Sequence, residues 1–516
     1  MSKDPDVLAA ANLGIHVRGT AKAKELSESP QPLLKQPGSS RLTHALFCSS
    51  ILILNFDTGI VPASLFKITQ EIDMTFQQQA AIGSLVFLGI CVGSLVVTSV
   101  FQQFSAQKIL SCVMLLNAIS AGVFSVSSNL YILYITRFIM GFTKSFFVIY
   151  GPVWVNEFSP PESCTKWLAA LQASSTLGII IGYVMAGVII NILYDYGTWR
   201  TAIQIQVVFL IPLLLWLRAT YYKNIDIIDT TDFRKTTTLV SPGDRPTGES
   251  KFVRMDTVNI SHLSSYMQQL KMLFSNSLFI FITLSLCSLC FVVTGIQYWI
   301  TLYLIQVLNS NPAEVVLLFS IICTTGPMSG VMFGGWLSDH MGGYKGENLI
   351  TAVELCVIFS LFASVFSISI GFVGTLNYVC PLLWIMMFFG GALFPTATGI
   401  NINSLSREYQ SSASSFSQLA FNLGSYFAPV ISATVMDYYE DPIEGLRWGF
   451  RTVLFASTLG VVFLLVAWII CSARHGRKGE YNDFDEEKDV VGELKNYSNN
   501  EYKNEILLRR LHSYSF

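Results

Sequence analysis

The chain has 516 residues, of which 52% are hydrophobic and only 13% charged, and its formal net charge is -2. So apolar a composition excludes an ordinary soluble domain, which carries nearer a quarter charged residues. The near-neutral balance gives no support to a nucleic-acid partner.

The charges are unevenly placed. They crowd into residues 1–42, a central stretch at 223–271 and a tail at 473–516, and long apolar runs fill the rest. The first segment is polar, holds Pro30, Pro32 and Pro37, and reads as a disordered cytoplasmic arm rather than a cleaved signal. Beyond it the sequence predicts spans at 44–66, 79–100, 109–128, 130–154, 168–193 and 200–221. A further six follow at 276–304, 313–336, 349–372, 377–401, 413–437 and 448–471, and a bilayer-crossing helix needs about 20 apolar residues. The expected fold is therefore an all-α integral membrane protein of twelve transmembrane helices. Its expected domains are the arm, a six-helix bundle over 43–222, the central loop, a second bundle over 272–472, and the tail. Within the loop, Leu263, Tyr266, Met267, Leu270 and Leu273 recur at helical spacing, so His262–Leu273 reads either as a surface helix or as ordinary loop.

Lys and Arg give the orientation. Arg41, Lys108, Lys166, Lys345, Arg407 and the basic residues of arm, loop and tail fall on one side, while Lys67, Arg200, Arg447 and Arg451 fall on the other. That bias puts both termini and the central loop in the cytoplasm. Which membrane holds the protein stays open between the plasma membrane and an endolysosomal or vacuolar one.

Three charges lie deep in the first half. Asp57 sits roughly 20 Å into span one and Arg137 roughly 10 Å into span four from the opposite side, so their depths coincide in a core about 30 Å thick. Arg137, Gly141 and Lys144 share one face at i, i+4 and i+7. Charged groups at such depth mark a pathway or a buried strut. Two cations against one carboxylate would make this half of a cavity positive, suited to an anionic or zwitterionic solute. In the second half the polar candidates are uncharged: Gln297 and Trp299 in span seven, Gln418 and Asn422 in span eleven, with helix packing as the alternative for each. Cys287 and Cys290 form a CxxC inside an apolar run, which argues for packing rather than a metal site. No enzyme motif, metal-ligand cluster or cofactor signature appears in any span.

The halves echo each other. Gln172, Leu177 and Gly178 recur at the same spacing as Gln418, Leu423 and Gly424, and Trp199-Arg200 opens span six as Arg447-Trp448 opens span twelve. Such duplication is a common transporter build.

After span eight comes Gly335-Trp-Leu-Ser-Asp339-His340-Met-Gly342-Gly343-Tyr-Lys345. It resembles the loop motif of the major facilitator superfamily, with Gly335, Asp339, Gly342 and Lys345 on motif positions and His340 and Gly343 in place of arginines. The resemblance implies a major facilitator fold and a latch in which the Asp caps a helix start and pairs with basic residues. The equivalent first-half stretch, Gln102–Lys108, lacks the Asp. Arg137-Phe-Ile-Met-Gly141, Pro152 and Glu157-Phe158 resemble the spinster-like branch, although Lys144 stands where that branch carries Glu. Membership implies a secondary active or facilitative carrier of a small organic or lipid-like solute, often proton-linked, working by alternating access. We expect a monomer whose other partners are membrane lipids. A non-transporting sensor or scaffold of the same fold is the rival reading, motivated by the degraded first-half motif and the acidic tail.

Overall fold

A computed structural model describes residues 37–160, 163–191, 198–227, 271–343, 348–405 and 410–473. Residues 262–270 of the expected surface helix, Lys345, the tail after residue 473 and nearly all of the arm lie outside the described residues. Among the described residues, twelve helices are long and apolar enough to cross a membrane. Spans one to six run Ser40–Glu71, Phe76–Val97, Ala106–Val126, Leu130–Phe158, Lys166–Ile190 and Trp199–Ala219. Spans seven to twelve run Ser277–Gln306, Pro312–His340, Leu349–Ile370, Leu376–Asn403, Ala413–Met436 and Pro442–Ala473. Several overrun the apolar core that betrays them in the sequence, because a helix continues past the hydrocarbon until a cap or turn stops it.

The stops and starts are chemical. Thr75 and Gln78 form a reciprocal capping box at the start of span two. Asn311 and Asp441 each cap a helix whose first residue is proline, at spans eight and twelve. Proline suits that position because the N–H it lacks would have had no helical partner.

The packing graph repeats itself. Span two lies on four, one on five, three on four and three on six; in the second half eight lies on ten, seven on eleven, nine on ten and nine on twelve. The glycines of the duplicated motif show the cause. A Cβ on Gly178 would stand 2.1 Å from the Leu52 carbonyl oxygen of span one, and one on Gly424 would stand 2.8 Å from the Cys287 carbonyl oxygen of span seven. Each glycine lets its span touch the backbone of the bundle's first helix, which is how membrane helices gain contact where lipid is as apolar as leucine.

Between bundles the apolar contacts concentrate at the far end, although spans two and eleven also pack along their length, with Cys91 Sγ 4.0 Å from the Leu419 carbonyl. We call the end of the molecule where residues 37 and 473 lie the terminal end, and the opposite end the far end. Near the far end one continuous apolar cluster joins both halves, from Ile60 and Val61 to Trp299, Tyr303 and Phe319. Polar ties reinforce it. Tyr298 donates to the Gln79 carbonyl, Tyr183 and Thr301 hydroxyls meet at 2.6 Å, and Gln77 Nε2 donates to Thr434 Oγ1 at 2.8 Å. Toward the terminal end the clusters are separate, one within spans one to six and one within seven to twelve. The apolar core thus bridges the bundles at the far end and divides between them toward the terminal end, where spans two and eleven keep them in contact.

The chain leaving span six folds back on the first bundle. Tyr150 and Trp154 donate to the Ile225 and Asn224 carbonyls at 2.7 and 2.8 Å. Asp226 then accepts from the Ser105 hydroxyl and the Gln107 N–H, at 2.7 and 2.9 Å, capping the start of span three.

Candidate functional site

Span one is not one unbroken helix. It turns at Asn55, whose amide donates to the Ile51 carbonyl at 2.8 Å, and resumes at Phe56 with Pro62 inside it. Proline has no N–H to give the preceding turn. The break sits two residues before Asp57, and its carboxylate points into the first bundle at 0% exposure.

Arg137 Nη1 donates to Asp57 Oδ2 at 2.5 Å and its Nε to the Ile82 carbonyl of span two at 2.9 Å. Lys144 Nζ lies 2.7 Å from Asp57 Oδ1 and donates to Thr58 Oγ1 at 2.9 Å. Gln206 of span six completes the set, its amide donating to Asp57 Oδ1 at 3.3 Å and to the Ile53 carbonyl at 3.1 Å. Side chains of spans one, four and six therefore meet at one carboxylate, and Arg137 ties span two to them. Arg137 and Lys144 are each 1% exposed, so the charges are paired and dry. Lys144 does not snorkel to the interface; it joins the carboxylate. Gly141 between the two cations makes room for a helix rather than a ligand, since a Cβ there would stand 1.9 Å from the Val86 carbonyl oxygen of span two.

The expected Asp57–Arg137 pair is present. The cavity position expected for the three charges is corrected, because burial separates them from the main cavity. That cavity, of about 590 Å³, lies at mid-depth and is walled mainly by spans seven to twelve, with Gln172 and Thr176 of span five closing one side. A second void of about 10 Å³, lined by Arg137, Thr58, Gln297, Tyr298 and Thr294, lies beside the cluster. That is about the space of one water, and Thr294 borders both spaces.

The second-half candidates divide. Gln297 lines the small void beside Arg137. Trp299 is 0% exposed with its ring edge-on to Phe76 at 6.2 Å, so it belongs to the far-end seal and not to a cavity wall. Asn422 is buried and donates to the Gln418 carbonyl one turn back at 2.7 Å, while the Gln418 side chain is exposed. Neither lines the main cavity among the described residues. The expected latch is also revised. Asp339 lies in the last turn of span eight, exposed, rather than at a helix start, and has no side-chain partner among the described residues. Gly335 and Gly342 flank it, and Lys345 is not described.

Sequence reasoning missed Gln206 and Thr58. Gln206 was legible as a lone amide in an apolar span, a group that needs a partner in hydrocarbon. It also missed Glu71, which accepts from Trp199 Nε1 at 2.7 Å and Arg200 at 2.6 Å, while Arg200 donates to the Ser125 and Ser127 carbonyls at the end of span three. The second-half counterpart is Arg451, which donates to the Gly371 carbonyl at the end of span nine at 2.8 Å and stacks on Trp448.

Comparison with known proteins places these features. A family model described as Major Facilitator Superfamily matches residues 46–353. The "Probable metabolite transport protein CsbC" of Bacillus subtilis (strain 168) is 23% identical over 164 residues, 32% of this chain and 35% of that protein. The chain thus matches about a third of the length of this curated relative. A bacterial homologue of the human lysosomal transporter spinster, solved inward-facing and unoccupied, superposes with a TM-score of 0.63 at 14% identity, covering 83% of this chain and 97% of its own. A D-xylose-proton symporter superposes with a TM-score of 0.62 at 14% identity, over 83% and 96% of the two chains.

Proposed function

The chain belongs to the Major Facilitator Superfamily, and from that premise we propose that it is a secondary active or facilitative transporter moving a small organic or lipid-like solute by alternating access. The observation that carries the reading is the uneven join between the bundles, whose shared apolar core lies at the far end. A seal of apolar and hydrogen-bonded contacts at the far end, with separate apolar clusters toward the terminal end and a cavity of about 590 Å³ between span five and the second bundle, supports one half of an alternating cycle. The opposite half requires the far-end ties to break and the terminal ends to meet. With the Lys and Arg bias, the terminal end is cytoplasmic and the state inward-facing.

In this reading the Asp57–Arg137–Lys144 cluster is the rigid charged pivot of the first bundle. It fixes spans one, two, four and six to one another so that they move as a unit. The small void beside Arg137 and the shared residue Thr294 connect the pivot to the cavity, and make Asp57 the first candidate for proton linkage. The superposed xylose carrier is a proton symporter by its description, which adds to the case for testing linkage here. Nothing in the site calls for covalent chemistry, so the chain is read as a carrier rather than an enzyme, acting as a single copy.

The test is uptake into liposomes by purified protein. A panel of lysophospholipids, amino acids, sugars and organic anions is offered with and without an inward-acidic pH gradient, alongside Asp57→Asn. Gradient-driven uptake that the variant loses establishes a proton-coupled carrier. Uptake indifferent to gradient and variant makes Asp57 a strut in a uniporter, and no uptake of any compound favours the sensor reading.

A further inference from the structure

The main cavity has a chemical character that the transport reading does not by itself fix. Among the described residues lining it, none is charged. Its walls are methionine, valine, leucine, phenylalanine and small residues, with hydroxyls scattered among them. Half of those eight hydroxyls are donated within the protein itself, three to its backbone and one to a neighbouring hydroxyl. Ser288 donates to the Ala456 carbonyl at 2.8 Å, Ser367 and Ser457 both donate to the Leu454 carbonyl at 2.9 and 2.6 Å, and Thr294 donates to Ser425 at 2.9 Å. A hydroxyl already donated to a carbonyl has no proton left for a ligand and can only accept. Four polar side chains on the wall have no hydrogen-bond partner among the described residues: Gln172 and Thr176, exposed to the cavity on span five, and Ser285 and Ser360, both buried.

Building on the reading that this cavity holds the transported solute, we infer that it selects an uncharged solute with an apolar body and one hydrogen-bonding group, the latter held by Gln172 and Thr176. The physics is desolvation. An ionised head entering the cavity leaves water and finds no counter-charge to receive it, whereas an apolar body gains by leaving water. The anion is the ion with most to gain, because two cations lie nearby. Those cations are committed elsewhere: Lys144 to Asp57 and Thr58, Arg137 to Asp57 and the Ile82 carbonyl. A primary amide can donate and accept, so Gln172 suits an alcohol, amide or ester group equally.

The test uses a matched set on one rigid hydrocarbon cage: adamantane-1-methanol, adamantane-1-carboxylate and adamantane-1-methylammonium, at pH 7.4. Binding to the full chain in lipid nanodiscs is measured by calorimetry, independently of flux. The alcohol is expected to bind at least tenfold more tightly than either ion. In Thr176→Lys, at an exposed position that leaves the packing intact, the carboxylate should gain at least tenfold while the alcohol gains nothing. An ion that binds as tightly as the alcohol overturns the inference, as does a set that fails to bind at all or a Thr176→Lys protein with unchanged selectivity. Binding with the expected selectivity but no flux of any compound would sink the transport reading and leave the charge selectivity standing.

Discussion

Removing the Asp57 carboxylate should be far more damaging than removing either the lysine charge or any exposed charge. In the native cluster two cations lie 2.5 and 2.7 Å from the carboxylate, all three side chains at 2% exposure or less. At an effective dielectric of about 20, unit charges at these separations attract by about 6–7 kcal/mol per pair before desolvation is subtracted. Breaking a buried pair while leaving a partner charge behind costs about 3–5 kcal/mol net. Asp57→Asn leaves both cations buried without an anion, so the full loss applies. Lys144→Met leaves Asp57 paired with Arg137 and bonded to Gln206, and replaces a desolvated charge with an apolar chain of similar length, so its cost should stay below about 1–2 kcal/mol. The double variant should recover part of the Asp57→Asn loss, since it removes one of the two stranded cations. The assay is reversible denaturant unfolding in mixed micelles, with membrane-inserted protein quantified for each variant. The reasoning fails if Asp57→Asn loses less than about 1 kcal/mol, or if Lys144→Met loses as much as Asp57→Asn.

Further expectations follow from other contacts. Gly141→Ala should cost about 1–3 kcal/mol, because its Cβ would meet the Val86 backbone of span two; an unaltered unfolding midpoint would deny that approach. Asp226→Ala should cost about 1 kcal/mol, as the loss of a helix cap does. Hydrogen exchange should show it as faster exchange of the first amides of span three, and unchanged protection there would mean the folded-back segment carries no load. Tyr298→Phe removes one far-end hydrogen bond, worth about 0.5–1.5 kcal/mol. It should raise the accessibility of the far-end cleft to a membrane-impermeant thiol reagent about twofold to tenfold, and equal labelling would exclude Tyr298 from the seal.

Much of this architecture was written in local chemistry. Apolar run length gives the twelve spans, and the Gln172…Gly178 and Gln418…Gly424 echo marks a duplication that the packing repeats through those same glycines. The depth argument brought Asp57 and Arg137 together because helical rise is fixed and both helices must cross the same slab. What stayed hidden depends on rotation and neighbours rather than depth. Trp299 and Gln297 are two residues apart, yet one seals the far end and the other faces Arg137. Lys144 could have turned to the interface; only the position of span one shows that it points at Asp57. The Arg447-Trp448 echo was off by one turn, since Arg451 rather than Arg447 plays the part of Arg200 at the end of the third helix of its half. Spacing alone does not reveal which arginine reaches a carbonyl.

The central claim is that the far-end seal must open for the protein to work. Gln77 and Thr434 hydrogen-bond across it at 2.8 Å, so a Gln77→Cys/Thr434→Cys pair can be oxidised to lock the two bundles there. Uptake of a solute found active in the liposome panel would be measured oxidised, reduced and in each single-cysteine control. The account predicts that oxidation abolishes uptake in the double variant alone and that reduction restores it; uptake that continues with the bond formed would contradict alternating access in this chain.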